Sequence, residues 1–270
     1  MLRSGVRFGL LVLLAASPVA ADPLPAHQTF ADLPSALAAT IPSNARVVGF
    51  GELHARTDRA PVRSSLSQFT AALPAFGAKV SDLIVETWIV DPKCGKQAAA
   101  TTAKVESDVR RPVSTKSEIE LLAEAARAAK IQPHAMTLSC ADYDALGKGD
   151  ATTMLTITTR ELARISASAV SHRDAEPGHR PWIAVYGGAL HNDRFPDASV
   201  AEWSYAAAAD KATGGHFVEV DLVVPSLAEA DATSRAQPWF PLVGAADASH
   251  VLVWKRGDRS FVVILPREAK

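Results

Sequence analysis

The sequence predicts an α/β fold: a largely parallel sheet with helices on both faces and an antiparallel C-terminal hairpin. Three observations carry this expectation. Strand, turn and helix patterns follow one another about four times along the chain, the order that builds a parallel sheet. The runs Asp82–Trp88 and Pro181–Tyr186 are apolar with little alternation, as strands covered on both faces must be. Near the C terminus, His250–Trp254 and Phe261–Leu265 bracket Arg256-Gly257-Asp258-Arg259, a hairpin pattern.

The elements follow in order. Residues 1–21 read as a secretory signal peptide: Arg3 and Arg7 make a short basic start, Phe8–Ala16 an apolar run, and Val19-Ala20-Ala21 a small-residue cleavage site. The run is too short to span a bilayer comfortably, and no later segment approaches membrane-spanning length. Residues 22–270 are expected to form one α/β domain, a size that roughly 250 residues fill. Pro23–Phe30 reads as an irregular lead-in. Ala31–Ile41 is a short Ala- and Leu-rich helix stopped by Pro42-Ser43-Asn44. Val47 and Val48 begin a short first strand that Gly49 and Gly51 let turn tightly out of the sheet, and Thr57-Asp58 can cap a helix beginning near Ala60-Pro61, with Leu66, Phe69, Leu73 and Phe76 at helical spacing. Asp82–Trp88 is the second strand. The polar stretch Pro92–Thr115, with Arg110-Arg111 before Pro112, reads as an excursion over the mouth of the sheet. Ser117–Glu120 resembles a capping box ahead of the helix Leu121–Lys130, and Ile131–Cys140 is the third strand. Asp150 caps a long helix through Val170, Ser171–Arg180 is a polar loop, and Pro181–Tyr186 is the fourth strand. Val200–Ala209 reads as a helix, His216–Val224 as a fifth strand, and Pro225–Ala248 as mostly irregular.

Composition narrows the function. A hydrophobic content of 48% supports a packed core, and 28 basic against 29 acidic side chains leave no electrostatic footprint for nucleic acid. Cys94 and Cys140 are the two cysteines. For an exported chain, a disulfide between them is favoured over two unrelated buried thiols.

Ligands of open parallel sheets sit beyond the carboxyl ends of the strands. Five acidic or imidazole groups follow strand ends here: Glu52 and His54 after the first, Glu86 at the end of the second, Asp142 after the third and His191 after the fourth. The Gly51-x-x-His54 turn is repeated as Gly188-x-x-His191, each straight after an apolar run. Carboxylates with histidines suit a divalent ion such as Zn²⁺ or Mn²⁺, which would lower the pKa of a bound water. The competing chemistry is metal-free, with His54 or His191 activating water or substrate and Glu52 or Glu86 orienting it. Arg56, Tyr143 and Asn192 are placed beside these groups by adjacency and are candidates for positioning a substrate. No Gly-x-Ser-x-Gly, phosphate-binding loop or complete dinucleotide fingerprint occurs. His134, His172, His179, His216 and His250 read as structural or solvated.

These motifs resemble a superfamily joining Tiki/TraB proteases, erythromycin-esterase-like enzymes and ChaN-like haem-binding proteins. Gly51-Glu52-Leu53-His54 is similar to the Gly-Glu-x-His opening motif of the ChaN-like and esterase-like branches, Val85-Glu86 to the second acidic position, and Gly188-Ala189-Leu190-His191 to the second histidine motif. The resemblance spans residues 45–265 and implies an active site at the carboxyl edge of the sheet. It implies hydrolysis of ester or peptide bonds in a small-molecule or peptide substrate, with a divalent metal in the Tiki branch and without one in the esterase-like branch. In the ChaN-like branch it implies haem binding in the periplasm. The chain lacks the long helical insertion with which esterase-like enzymes hold a macrolide, and none of its tyrosines lies in a haem motif.

Overall fold

A computed structural model describes residues 23–58, 61–176 and 178–268. The expected signal peptide therefore lies outside the described residues. Eight strands form one sheet: β1 (Gln28–Phe30), β2 (Val47–Glu52), β3 (Val80–Trp88), β4 (Gln132–Met136), β5 (Trp182–Gly188), β6 (Phe217–Val223), β7 (Val251–Gly257) and β8 (Ser260–Ile264). Their spatial order is β1-β7-β8-β6-β2-β5-β3-β4. From β8 to β4 every neighbouring pair is parallel, and β7 is antiparallel to both β8 and β1.

The expected C-terminal hairpin is therefore present, with one refinement. Its second strand, β8, enters the sheet parallel to β6, and β7 alone turns the direction. The lead-in contributes β1, which pairs Gln28–Phe30 with Val251–Val253. Three residues are too few for a periodic pattern, but they satisfy the backbone groups that β7 would otherwise leave open.

Side chains alternate across the strands, so each strand feeds two cores. On one face Val48, Phe50, Val85 and Tyr186 meet Leu37, Leu66, Phe69, Leu73 and Leu122 from the helices Leu33–Thr40, Ser65–Phe76 and Ser114–Ala128. On the other, Val47, Ile84, Val185 and Phe217 meet Leu162, Ile165 and Ala209 from the helices Ala151–Ala175 and Ala206–Thr213. Each fully buried Leu or Phe of this kind contributes about 1.5–3 kcal/mol of apolar transfer.

Several element boundaries differ from expectation, for local reasons. The second helix starts at Ser65 rather than near Ala60, because Ser64 accepts a hydrogen bond from the Ser67 amide at 2.9 Å. Asp58 is instead held by Arg56 and Arg110. The polar excursion contains a full helix, Gly95–Val109, whose buried stripe is narrow: Ala98, Thr101 and Val105. The next helix spans Ser114–Ala128 and begins ahead of the Ser117 pattern. β4 ends at Met136 because Ser139 and Asp142 form a capping box that starts the helix Cys140–Lys148. The long helix capped by Asp150 runs on to Ala175, taking in half of the expected loop. The region before β7 holds three short helices, Pro225–Glu229, Ala232–Arg235 and Pro241–Ala245.

Cys94 and Cys140 form a disulfide that ties the start of the helix Gly95–Val109 to the first residue of the helix Cys140–Lys148. No helix among the described residues is long and apolar enough to cross a membrane.

Candidate functional site

After β2 the chain moves to β3 and β4 on one side; after β5 it crosses β2 to reach β6 on the other. The carboxyl ends of β2 and β5 flank this switch point, where open α/β sheets place their ligands. Gly51 stands opposite Gly187 and Glu52 opposite Gly188, so the two Gly-x-x-His turns leave the sheet side by side. Glycine is required at Gly51, where a Cβ would lie 2.2 Å from Asp221 Oδ1 and 2.7 Å from the Ala189 Cα. At Gly187 a Cβ would lie 2.6 Å from Glu86 Oε2 and would displace that side chain. The bare backbone of β5 is what lets Glu86 cross from β3 to the centre.

Three of the five expected groups meet there. His54 Nδ1 lies 2.7 Å from Glu52 Oε1, and His54 Nε2 lies 3.6 Å from Glu86 Oε1. The other Glu52 oxygen accepts hydrogen bonds from Ser65 Oγ at 2.8 Å and from the Tyr186 hydroxyl at 2.5 Å. Glu86 Oε2 accepts the Gly188 amide at 2.6 Å. Tyr186 is itself fixed by stacking on Phe69, with centroids 4.9 Å apart. Over this group lies Arg111, whose Nη2 is 2.7 Å from His54 Nε2 and donates to Glu86 Oε1 at 3.1 Å. Its Nε is buried without an acceptor. The cleft is completed by Leu66, Val85, Thr115 and Ile119 and leaves a free volume of about 10 Å³, room for about one water molecule.

The contacts determine protonation. A guanidinium has no lone pair to offer, so His54 Nε2 must accept from Arg111 and the ring proton must sit on Nδ1, facing Glu52. Burial pushes the Glu52 carboxyl up, but the His54 hydrogen bond, the Tyr186 hydroxyl and Arg111 outweigh it, and the group stays ionised below its ordinary value. Burial likewise opposes the Glu86 charge, and its interactions with His191, His54 and Arg111 outweigh burial and hold the carboxyl well below the usual carboxylate range. For His54, burial and Arg111 push its pKa down, and the two carboxylates more than compensate, leaving it above the ordinary histidine value. The side chain of His54 is 30% exposed against 9% for Glu52 and 12% for Glu86, so it is the member of the trio that an incoming molecule reaches first. An imidazole oriented by an ionised carboxylate, with a lone pair on its outer nitrogen, is a general base.

The other expected residues are used differently. His191 is buried with Nδ1 2.9 Å from both Trp203 O and Thr159 Oγ1; a carbonyl only accepts, so this nitrogen carries the proton. Asp142 is not brought to the centre: it serves the capping box with Ser139 and accepts from Arg160 Nη2 at 2.8 Å. Arg56 pairs with exposed Asp58. The Tyr143 hydroxyl donates to Ile89 O at 3.3 Å, and Asn192 Nδ2 to Gly49 O at 3.1 Å, so both brace backbone. Arg111, Ser65 and Tyr186 are the members that sequence reasoning missed. The one signal for Arg111 was a basic pair in a stretch read as crossing the mouth of the sheet.

The donor set was tested against the two cofactors the sequence suggested. Among the described residues no three His, Cys, Asp or Glu side chains are grouped to hold a metal ion. Both Glu52 oxygens are engaged, and the point between His54 and Glu86 is taken by the Arg111 guanidinium. A divalent ion therefore does not fit this arrangement. Haem fits no better: His54 Nε2 is covered by Arg111, and the free volume of the cleft takes about one water molecule.

No family model and no curated protein matches the chain. Among solved structures, one described as "The structure of the type III effector HopBA1" is similar over 92% of this chain and 100% of that one, at 13% identity and a TM-score of 0.42. A likeness this distant says nothing of chemistry.

Proposed function

We propose that this chain is an exported, metal-independent hydrolase of ester or peptide bonds, built on the Glu52–His54 pair and Arg111. The observation that carries the reading is the outer nitrogen of His54, left as an acceptor by the ionised Glu52 and shared with a guanidinium whose Nε–H has no acceptor. The resemblance to the esterase-like branch, which implies hydrolysis without a metal, is in keeping with it.

The residues assign the steps. A substrate carbonyl oxygen entering the cleft draws the Arg111 N–H groups to itself, and this frees His54 Nε2. A water then attacks the carbonyl carbon while Nε2 takes its proton, and Glu52 stabilises the imidazolium through Nδ1–H. The C=O electron pair moves onto the oxygen, where Arg111 offsets the charge. Collapse re-forms the C=O bond, breaks the bond to the leaving oxygen or nitrogen, and His54 Nε2–H protonates that atom as it departs. Ser65 and Tyr186 hold Glu52 ionised and in line; Glu86 holds Arg111 over the ring. The free volume of the cleft is about 10 Å³, room for about one water molecule, so only the reacting oxygen of a substrate enters and the remainder lies outside.

The test is hydrolysis of a panel of activated esters and fluorogenic peptides by the purified chain after chelator treatment, with Arg111→Gln and His54→Ala alongside. Turnover lost in both variants supports the proposal. No turnover of any member, or turnover indifferent to His54, overturns it.

A further inference from the structure

We infer that the Cys94–Cys140 disulfide is a redox-reactive site that keeps Arg111 on His54: a dithiol reductant that opens it loosens the helix Gly95–Val109 and withdraws the guanidinium from the centre. The inference uses the geometry of Arg111 over His54 and does not need the hydrolysis assigned to that centre.

The bond is within reach of solvent. Cys140 is exposed and Cys94 half-buried, so an incoming thiolate meets the Cys140 sulfur first. Attack there forms a mixed disulfide on Cys140, and the S–S bond breaks with its electron pair on Cys94. Cys94 is the N-cap residue of the helix Gly95–Val109, 15 residues long, whose amide dipoles favour a thiolate at that end. The helix Cys140–Lys148 already carries the Asp142 carboxylate in its first turn, which disfavours a second negative charge, so Cys94 is the better leaving group. The second thiol of the reductant then displaces Cys140. Each cysteine gains one electron and one proton and ends as a thiol, and the dithiol ends as a disulfide.

Apart from this bond, the helix Gly95–Val109 is lightly held. Its buried residues, Ala98, Thr101 and Val105, are small, and its N-cap makes no side-chain hydrogen bond. Its polar ties are single contacts along its first half: Gln97 to Asp144, Thr101 Oγ1 to Tyr143 O at 3.2 Å, and Trp88 Nε1 to Thr102 Oγ1 at 3.0 Å. Sparse apolar burial marks a segment of low local stability, for which one covalent bond matters most.

Arg111 follows this helix by two residues. Arg110 ends the helix in a left-handed conformation at φ 53°, and its carbonyl accepts the Thr57 amide at 2.9 Å. The Arg111 side chain reaches from there to His54 and Glu86. Ordering so long a side chain costs rotamer entropy, so the guanidinium stays in the cleft only while its backbone is held beside it.

The experiment follows the His54 ring by NMR through a pH titration, with its signal assigned by His54→Ala, in the oxidised chain and in excess dithiothreitol. Glu52 and Glu86 raise the His54 pKa and Arg111 lowers it, so loss of the guanidinium raises the midpoint. Reduction is expected to free two thiols per chain, to leave the sheet intact by circular dichroism, and to move the midpoint up toward that of oxidised Arg111→Gln. In Arg111→Gln itself reduction should not move it. Amides of residues 95–109 should exchange about tenfold or more faster once the bond is open. The double variant Cys94→Ser, Cys140→Ser should show the raised midpoint without reductant. A bond that dithiothreitol cannot open in the folded chain overturns the inference. So does reduction that unfolds the whole chain, or that leaves the midpoint or the amide exchange unchanged. If no ester or peptide is hydrolysed but the midpoint moves on reduction, the hydrolase reading fails and this one stands.

Discussion

At the scale of single residues, the proposed hydrolysis depends on which nitrogen of His54 carries the proton. Replacing His54 with alanine removes the base and is expected to lower kcat by about 10²–10⁴-fold, with the fold intact by circular dichroism. The pH dependence follows from the direction of its shift. The carboxylates hold the His54 pKa above the ordinary 6.5, and the base works only when unprotonated. The rate should therefore rise with pH through a midpoint above 6.5. Glu52→Gln takes away one of the groups that raise this pKa, so the acid limb of kcat/KM should move to lower pH. A limb that stays in place would exclude the Glu52–His54 pairing as the basis of the mechanism. Glu52, His54 and Glu86 were all legible in the sequence because each is a polar group standing where an apolar run ends.

At the scale of elements, the centre depends on two strands whose ends carry no side chain. The repeated Gly-x-x-His spacing was visible in the sequence, and the sheet does set the two turns side by side. Their histidines diverge because the chain continues as a loop after β2 but as the short helix Ala189–Asn192 after β5, which turns His191 Nδ1 to Trp203 O. The glycines give contrasting predictions. In Gly51→Ala the new Cβ meets the backbone of Ala189, which cannot yield locally, so urea unfolding should show a loss of about 1–3 kcal/mol. In Gly187→Ala the obstacle is the movable Glu86 side chain, so hydrolysis should fall by a larger factor than stability accounts for. Equal effects of the two on activity per folded molecule would contradict this division. Asp142 shows the limit of reading by position: it does follow a strand, but a serine three residues earlier claimed it as a cap.

At the scale of the whole molecule, the disulfide fastens the two helices that lie beyond β3 and β4. Cys94 and Cys140 are 46 residues apart, and the entropy lost by an unfolded loop of that length corresponds to about 4 kcal/mol. Denaturant titrations with and without reductant, or with Cys94→Ser and Cys140→Ser together, should show a loss of this order. A difference below about 1 kcal/mol would mean that packing alone holds the helix Gly95–Val109 in place. The sequence favoured this pairing from export and strand ends, although Cys140 proves to begin a helix.

The sequence by itself determined the parallel α/β class, the strands β2 to β8 to within a few residues, and the edge at which Glu52, His54 and Glu86 meet. These are local properties: burial on both faces leaves an uninterrupted apolar run, and glycine with polar residues marks its end. Only the tertiary structure decided that Arg111 covers His54 from 57 residues away, and that Tyr186 supports Glu52 across 134. A lone arginine in a polar stretch or a tyrosine in an apolar strand carries no mark of its partner, because that contact arises only when helices and strands distant in the chain pack together.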